Sequence, residues 1–73
     1  MLTKYVQGAM RKARYEIISG NEPFYGKIVG FDGVYAVGET LEACRETLEE
    51  VLEEWMLLRI SMRLPLPIVD RKE

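Results

Sequence analysis

The stretch GETLEA, residues 38–43, decides the fold, because a strand ends and a helix begins within it. Thr40 is a preferred N-cap residue, and Glu42 in the first turn suits the positive end of the helix dipole. Beyond this stretch, apolar residues recur at three- and four-residue spacing: Leu41, Cys44, Leu48, Val51, Leu52, Trp55, Leu58 and Met62. Glutamates fill the opposite side. The pattern predicts a long amphipathic helix over residues 40–62.

Before this stretch, the apolar period is two, which is typical of strands. Strands are predicted at residues 14–19, 24–29 and 34–38, separated by the turn sequences GNEP and GFDG. Such short turns between strands indicate an antiparallel meander. A short N-terminal helix is predicted at residues 3–12, with Thr3 as its cap.

After the long helix, Pro65 and Pro67 prevent its continuation, and a short strand is predicted at residues 68–70. The whole chain, residues 1–73, is therefore predicted to be a single α+β domain. It has an antiparallel sheet of three to four strands, with one long helix packed on a face and a short N-terminal helix.

The size of the chain favours self-association. With 73 residues it buries a small core, and its single cysteine excludes an intramolecular disulfide. A homo-oligomer, either a dimer or a tetramer, is expected to supply the missing burial. Trp55 and Leu58 continue the apolar stripe into the core, whereas Met56, Leu57 and Ile60 add apolar surface around the last turns. The predicted oligomer interface is Trp55, Met56, Leu57 and Ile60.

The sequence argues against an enzyme. It contains no histidine, which is the usual general base at neutral pH, and Cys44 lies on the buried stripe of the long helix. The glycines form no phosphate-binding motif, and the glutamates of the helix are typical of a solvated face. We therefore expect no catalytic residue, no cofactor and no metal site.

The net charge of −2 hides two regions of opposite sign. The long helix carries an acidic face that could bind a basic protein: Glu46, Glu49, Glu50, Glu53 and Glu54. The N-terminal segment carries cations that could contact a phosphate backbone: Lys4, Arg11, Lys12 and Arg14. The acidic total argues against nucleic acid as the main partner, since phosphate neutralisation supplies most such affinity.

The longest uninterrupted apolar run of the long helix, Trp55–Leu58, is far shorter than the ~20 residues that span a bilayer. The N-terminus lacks the apolar run of a secretory signal. We expect a cytoplasmic protein with no membrane association.

The segment Tyr25–Leu52 resembles the HicB family of antitoxins. The resemblance is carried by a strand, a glycine-bearing turn and the GETLEA stretch, followed by Leu48 and Leu52. The family pattern reads Gly-Asp/Glu-Thr-Leu-Glu-Glu-Ala at this point, and this chain matches it with one residue missing.

The resemblance implies a partial ribonuclease-H-like fold without ribonuclease catalysis. It also implies an antitoxin that binds and covers a HicA-like toxin, a small mRNA-cleaving protein. Many HicB proteins add a C-terminal domain that binds operator DNA, which we do not expect within these 73 residues. The alternatives are a homo-oligomeric structural or adaptor domain with no toxin partner, and a weak nucleic-acid binder that uses its basic N-terminal helix.

Overall fold

The α+β prediction is confirmed. A computed structural model describes residues 2–68 and contains two helices and a three-stranded antiparallel sheet in the order β1-β2-β3. In chain order the elements are α1 (Leu2–Met10), β1 (Ala13–Ile17), β2 (Phe24–Ile28), β3 (Tyr35–Gly38) and α2 (Leu41–Ser61). They lie close to the predicted ranges. Ile68 has no regular secondary structure, and the rest of the predicted strand at 68–70 lies outside the described residues.

The sheet has one covered face and one open face. Ala36 on β3 and Ile28 on β2 are buried beneath the helices, while their neighbours Tyr35 and Lys27 are exposed, as the alternation of strand side chains requires. Among residues 2–68, no element packs on the second face. The domain therefore consists of two layers, with both helices on the same side of the sheet.

The core fills the space between the sheet and the helices. Its buried side chains come from both helices, from β2 and β3, and from the segment between those two strands: Val6, Ala9, Ile28, Phe31, Val34, Ala36, Cys44, Leu48, Leu52 and Met56. Tyr15 of β1 packs against this cluster and is partly buried. Aromatic contacts extend the core, with the rings of Phe31 and Trp55 separated by 5.2 Å between centroids.

The buried face of α2 differs from the predicted stripe. The buried residues Cys44, Leu48, Leu52 and Met56 are spaced four apart throughout. Because four residues exceed one helical turn of 3.6, this line winds around the helix as it follows the twisted sheet. The assignment of Met56 to surplus surface was therefore wrong, since it is only 2% exposed, and so was the assignment of Leu58 to the core, since it is 58% exposed.

The segment after α2 folds back on the helices. Arg63 adopts a positive φ of 60°, and the N–H of Leu64 donates to the carbonyl oxygen of Arg59 at 2.8 Å, which closes the helix end. The hydroxyl of Tyr5 then donates to the carbonyl oxygen of Pro67 at 2.5 Å, and the Nε–H of Arg59 donates to that of Pro65 at 2.9 Å. These bonds hold the segment beside α1, on the Trp55 side of α2.

No helix within residues 2–68 has the length and apolar character needed to cross a membrane.

Candidate protein-interaction surface

One exposed stripe of α2 changes from acidic to apolar along its length. Its members follow each other at alternating spacings of four and three residues, so they lie on the same side of the helix: Glu46, Glu50, Glu53, Leu57 and Ile60. The three glutamates are exposed, and the two apolar residues that follow them are 62% and 45% exposed. We call this set the α2 stripe. It offers a partner negative charge and apolar area on one continuous surface.

Only part of the predicted oligomer interface is accessible. Trp55 is half-buried beneath Arg59, whose guanidinium carbon lies 4.8 Å from the ring centroid, and Met56 is buried in the core. Leu57 and Ile60 remain exposed because the returning C-terminal segment packs on the other side of the helix. The interface itself stays a prediction.

The other predicted acidic residues flank the stripe. Glu54 is exposed beside it, and Glu49 is half-buried on the side of α2 that faces α1. The acidic surface predicted from the sequence is thus continuous with the apolar end of the helix. The spacing of four and three residues in the sequence is the signal that places the glutamates on the same side of the helix as Leu57 and Ile60.

The predicted phosphate-contacting residues are divided between two surfaces. Lys4 is exposed on α1, and Arg11 is exposed in the turn directly after it, where Lys12 is half-buried. Arg14 lies on β1, where it alternates with Tyr15 and therefore points to the open face of the sheet. A single phosphate backbone would have to contact both faces of the domain to reach all of them.

A cleft of about 470 Å³ separates α1 from α2. Val6 and Met10 form its apolar part, and Arg11, Arg45 and Glu49 supply charge at its rim. No buried side-chain nitrogen or oxygen within residues 2–68 lacks a hydrogen-bond partner.

Cys44 lies in the core and not in a site. Its side chain is fully buried, and its thiol donates a weak hydrogen bond to the carbonyl oxygen of Ala36 at 3.5 Å. Burial raises the pKa of the thiol above its ordinary value, which disfavours the reactive thiolate. Across residues 2–68 no three histidine, cysteine or acidic residues gather as metal ligands.

The open face of the sheet is the surface that sequence reasoning missed. Tyr25 of β2 and Tyr35 of β3 lie side by side on it, with ring centroids 6.2 Å apart, and Val37 is beside them. The alternation within strands 24–29 and 34–38 was the available signal. It separated the two faces but could not show which of them the helices cover.

The comparisons with known proteins agree with this fold. The model of the UPF0150-like family matches residues 4–67. The crystal structure of TTHA0281 from Thermus thermophilus is similar, with 41% sequence identity and a TM-score of 0.91; the alignment covers 93% of this chain and 84% of that one. None of the curated proteins matches the chain.

Proposed function

Because the chain belongs to the UPF0150-like family, which is related to HicB-like antitoxins, we propose that it is a non-catalytic antitoxin-type domain. It neutralises a HicA-like, mRNA-cleaving toxin by binding it directly. The α2 stripe is the contact surface, and it is the observation that supports the proposal best.

The charge of the stripe suits such a partner. A protein that binds RNA presents lysine and arginine to the phosphate backbone. Glu46, Glu50 and Glu53 offer a substitute for that backbone, and opposite charges steer the encounter and select the partner. The apolar end then supplies the buried contact that affinity requires, since hot spots lie in desolvated apolar pockets.

The stripe suits a second copy of this chain less well. Its charged members are all glutamates, so two copies packed in parallel would bring acidic residues near each other, and two copies packed antiparallel would set glutamates against Leu57 and Ile60. Like charges across an interface suppress association. On this helix, the runner-up function, a homo-oligomeric structural or adaptor domain, is supported by the exposure of Leu57 and Ile60.

The test is inhibition of RNA cleavage. The proposal expects a gene for a HicA-like toxin beside this one; its product is purified, and its cleavage of an mRNA is followed as this protein is added. We expect cleavage to stop near equimolar protein. Leu57→Asp should weaken inhibition by about 30-fold or more, as loss of an interface hot spot does. Glu50→Lys combined with Glu53→Lys should slow association and reduce its salt dependence.

Leu58→Asp is the matched control, because Leu58 is as exposed as Leu57 but lies off the stripe. It should inhibit like the unmodified chain. Undiminished cleavage at tenfold excess of the unmodified protein would overturn the proposal, as would equal effects of the Leu57 and Leu58 variants. Salt-sensitive binding of the protein alone to RNA would favour the nucleic-acid alternative.

A further inference from the structure

The outer edge of β1 is an unpaired strand edge. The N–H of Val29 donates to the carbonyl oxygen of Lys12, and the N–H of Ile18 donates to the carbonyl oxygen of Pro23. Because hydrogen-bonded positions alternate along an antiparallel pair, the even-numbered residues of β1 direct their N–H and C=O groups toward β2. The N–H and C=O groups of Ala13, Tyr15 and Ile17 therefore point away from the sheet. Within residues 2–68, no backbone group pairs with them.

We propose that this edge binds the β1 edge of a second copy, in antiparallel register about Tyr15. The two sheets then form one continuous six-stranded sheet. In this register Tyr15 pairs with Tyr15 of the second copy, and Ala13 pairs with Ile17. These are the residues whose backbone N–H and C=O groups point outward, so in this register they can hydrogen-bond to the same residues of the second copy.

The same register makes the charges complementary. Arg14 of each copy lies opposite Glu16 of the other, on the open face of the sheet. These are non-hydrogen-bonded positions, where facing side chains approach most closely. The sequence Arg-Tyr-Glu is thus complementary to itself when it runs antiparallel, and it selects a second copy over other strands.

Within one chain, Arg14 has no such partner on β2. It lies directly opposite Lys27 in the β1–β2 register, and like charges at facing positions are destabilising. An acidic residue on the other side of Arg14 would relieve this repulsion. Glu16 lies opposite Tyr25 and has no cation facing it on β2 either.

The pairing also covers an unusually exposed side chain. Ile17 is 78% exposed at the end of β1, on the face that carries the helices. The register places it beside Ala13 of the second copy, next to the end of α1. The outward positions of the other edge, Tyr35 and Val37 on β3, carry no charge that would select a partner. Pairing of the β1 edges does not depend on the antitoxin proposal.

The experiment is sedimentation velocity on the full chain over roughly 1 to 500 μM, a range suited to the weak association expected of a small interface. We expect a concentration-dependent dimer. Arg14→Glu and Glu16→Arg should each raise the dimer dissociation constant about tenfold or more, because each places like charges opposite each other twice. Circular dichroism establishes that each variant is folded.

The charge-swapped double variant, Arg14→Glu with Glu16→Arg, decides the case. It restores opposite charges in the same register, so it should dimerise like the unmodified chain. A chain that stays monomeric throughout the range would overturn the inference. So would a dimer that both single variants leave intact, a double variant that fails to recover, or a dimer that Leu57→Asp dissociates and Arg14→Glu does not.

Discussion

The backbone of Cys44 lies directly above Gly38, so close that a Cβ atom on Gly38 would be 2.5 Å from the Cys44 nitrogen and 2.8 Å from its Cα. Glycine is needed here because the last residue of β3 passes under the first turn of α2. The atoms that it meets belong to the backbone and cannot rotate away. A side chain at this position would push the first turn of α2 away from the end of β3.

Gly38→Ala should therefore destabilise the fold strongly, by about 3 kcal/mol or more, at the upper end of overpacking effects. Urea denaturation followed by circular dichroism measures the loss. Gly26→Ala is the comparison, since its added methyl meets the Tyr15 ring at 2.8 Å and the Cys44 sulfur at 3.2 Å. Those side chains can shift, so it should cost about 1–2 kcal/mol. A smaller loss at Gly38 than at Gly26 would contradict this explanation.

Alanine substitutions in α2 should distinguish its buried residues from the exposed residues of the α2 stripe by their effect on stability. Leu52→Ala and Met56→Ala remove fully or almost fully buried side chains, so each should lower the free energy of unfolding by about 2–5 kcal/mol. Leu57→Ala should change it by about 0.5 kcal/mol or less, because that side chain is 62% exposed. Urea titration of the variants at one protein concentration gives the order. A large loss at Leu57 would mean that the residue is buried in solution.

Thr40→Ala should cost about 1 kcal/mol. The Thr40 hydroxyl oxygen accepts a hydrogen bond from the Ala43 N–H at 3.0 Å, and the change leaves that donor without its cap. Thr40→Ser keeps the hydroxyl and is the matched control. Thermal unfolding of the two variants should differ, with the serine variant near the unmodified protein.

Alkaline pH should destabilise the domain. Burial raises the pKa of the Cys44 thiol and of the Tyr15 and Tyr5 hydroxyls above their ordinary values of 9.0 and 10.0. As the pH rises, the unfolded chain therefore loses these protons before the folded protein does. The contribution of the protonated groups to the free energy of unfolding is complete below about pH 9 and decreases above it. Urea midpoints between pH 7 and pH 11 measure the fall.

The variant Cys44→Ala isolates the contribution of the cysteine to that pH dependence. Its urea midpoint should fall less steeply with rising pH than that of the unmodified protein. The thiol should also react slowly with iodoacetamide in the folded protein and quickly in urea, because burial blocks access and suppresses the thiolate. Rapid reaction of the folded protein would show that the Cys44 thiol is accessible to solvent and would contradict its burial.

Local signals in the sequence were sufficient for the two helices and the three strands that the structure describes. The period of two, the GNEP and GFDG turns and the Thr40 cap each depend on neighbouring residues, so the elements could be placed without knowledge of the fold. The glutamates of the α2 stripe could be found in the same way. Met56 and Leu58 were assigned wrongly, because apolar side chains surround the last turns of α2 and its periodicity no longer distinguishes a buried side.

The sequence by itself determined that the chain has a strand-to-helix junction at residues 38–43, a three-stranded meander before it and an acidic helix after it. Each of these follows from propensities and spacings a few residues long. Only the tertiary structure decided that α2 rests on the sheet along Cys44, Leu48, Leu52 and Met56, which leaves Leu57 and Ile60 exposed beside the glutamates. The direction in which a helix crosses a twisted sheet depends on contacts between residues distant in sequence, such as Gly26 beneath the Cys44 sulfur and Phe31 against Trp55, and no local pattern contains that information.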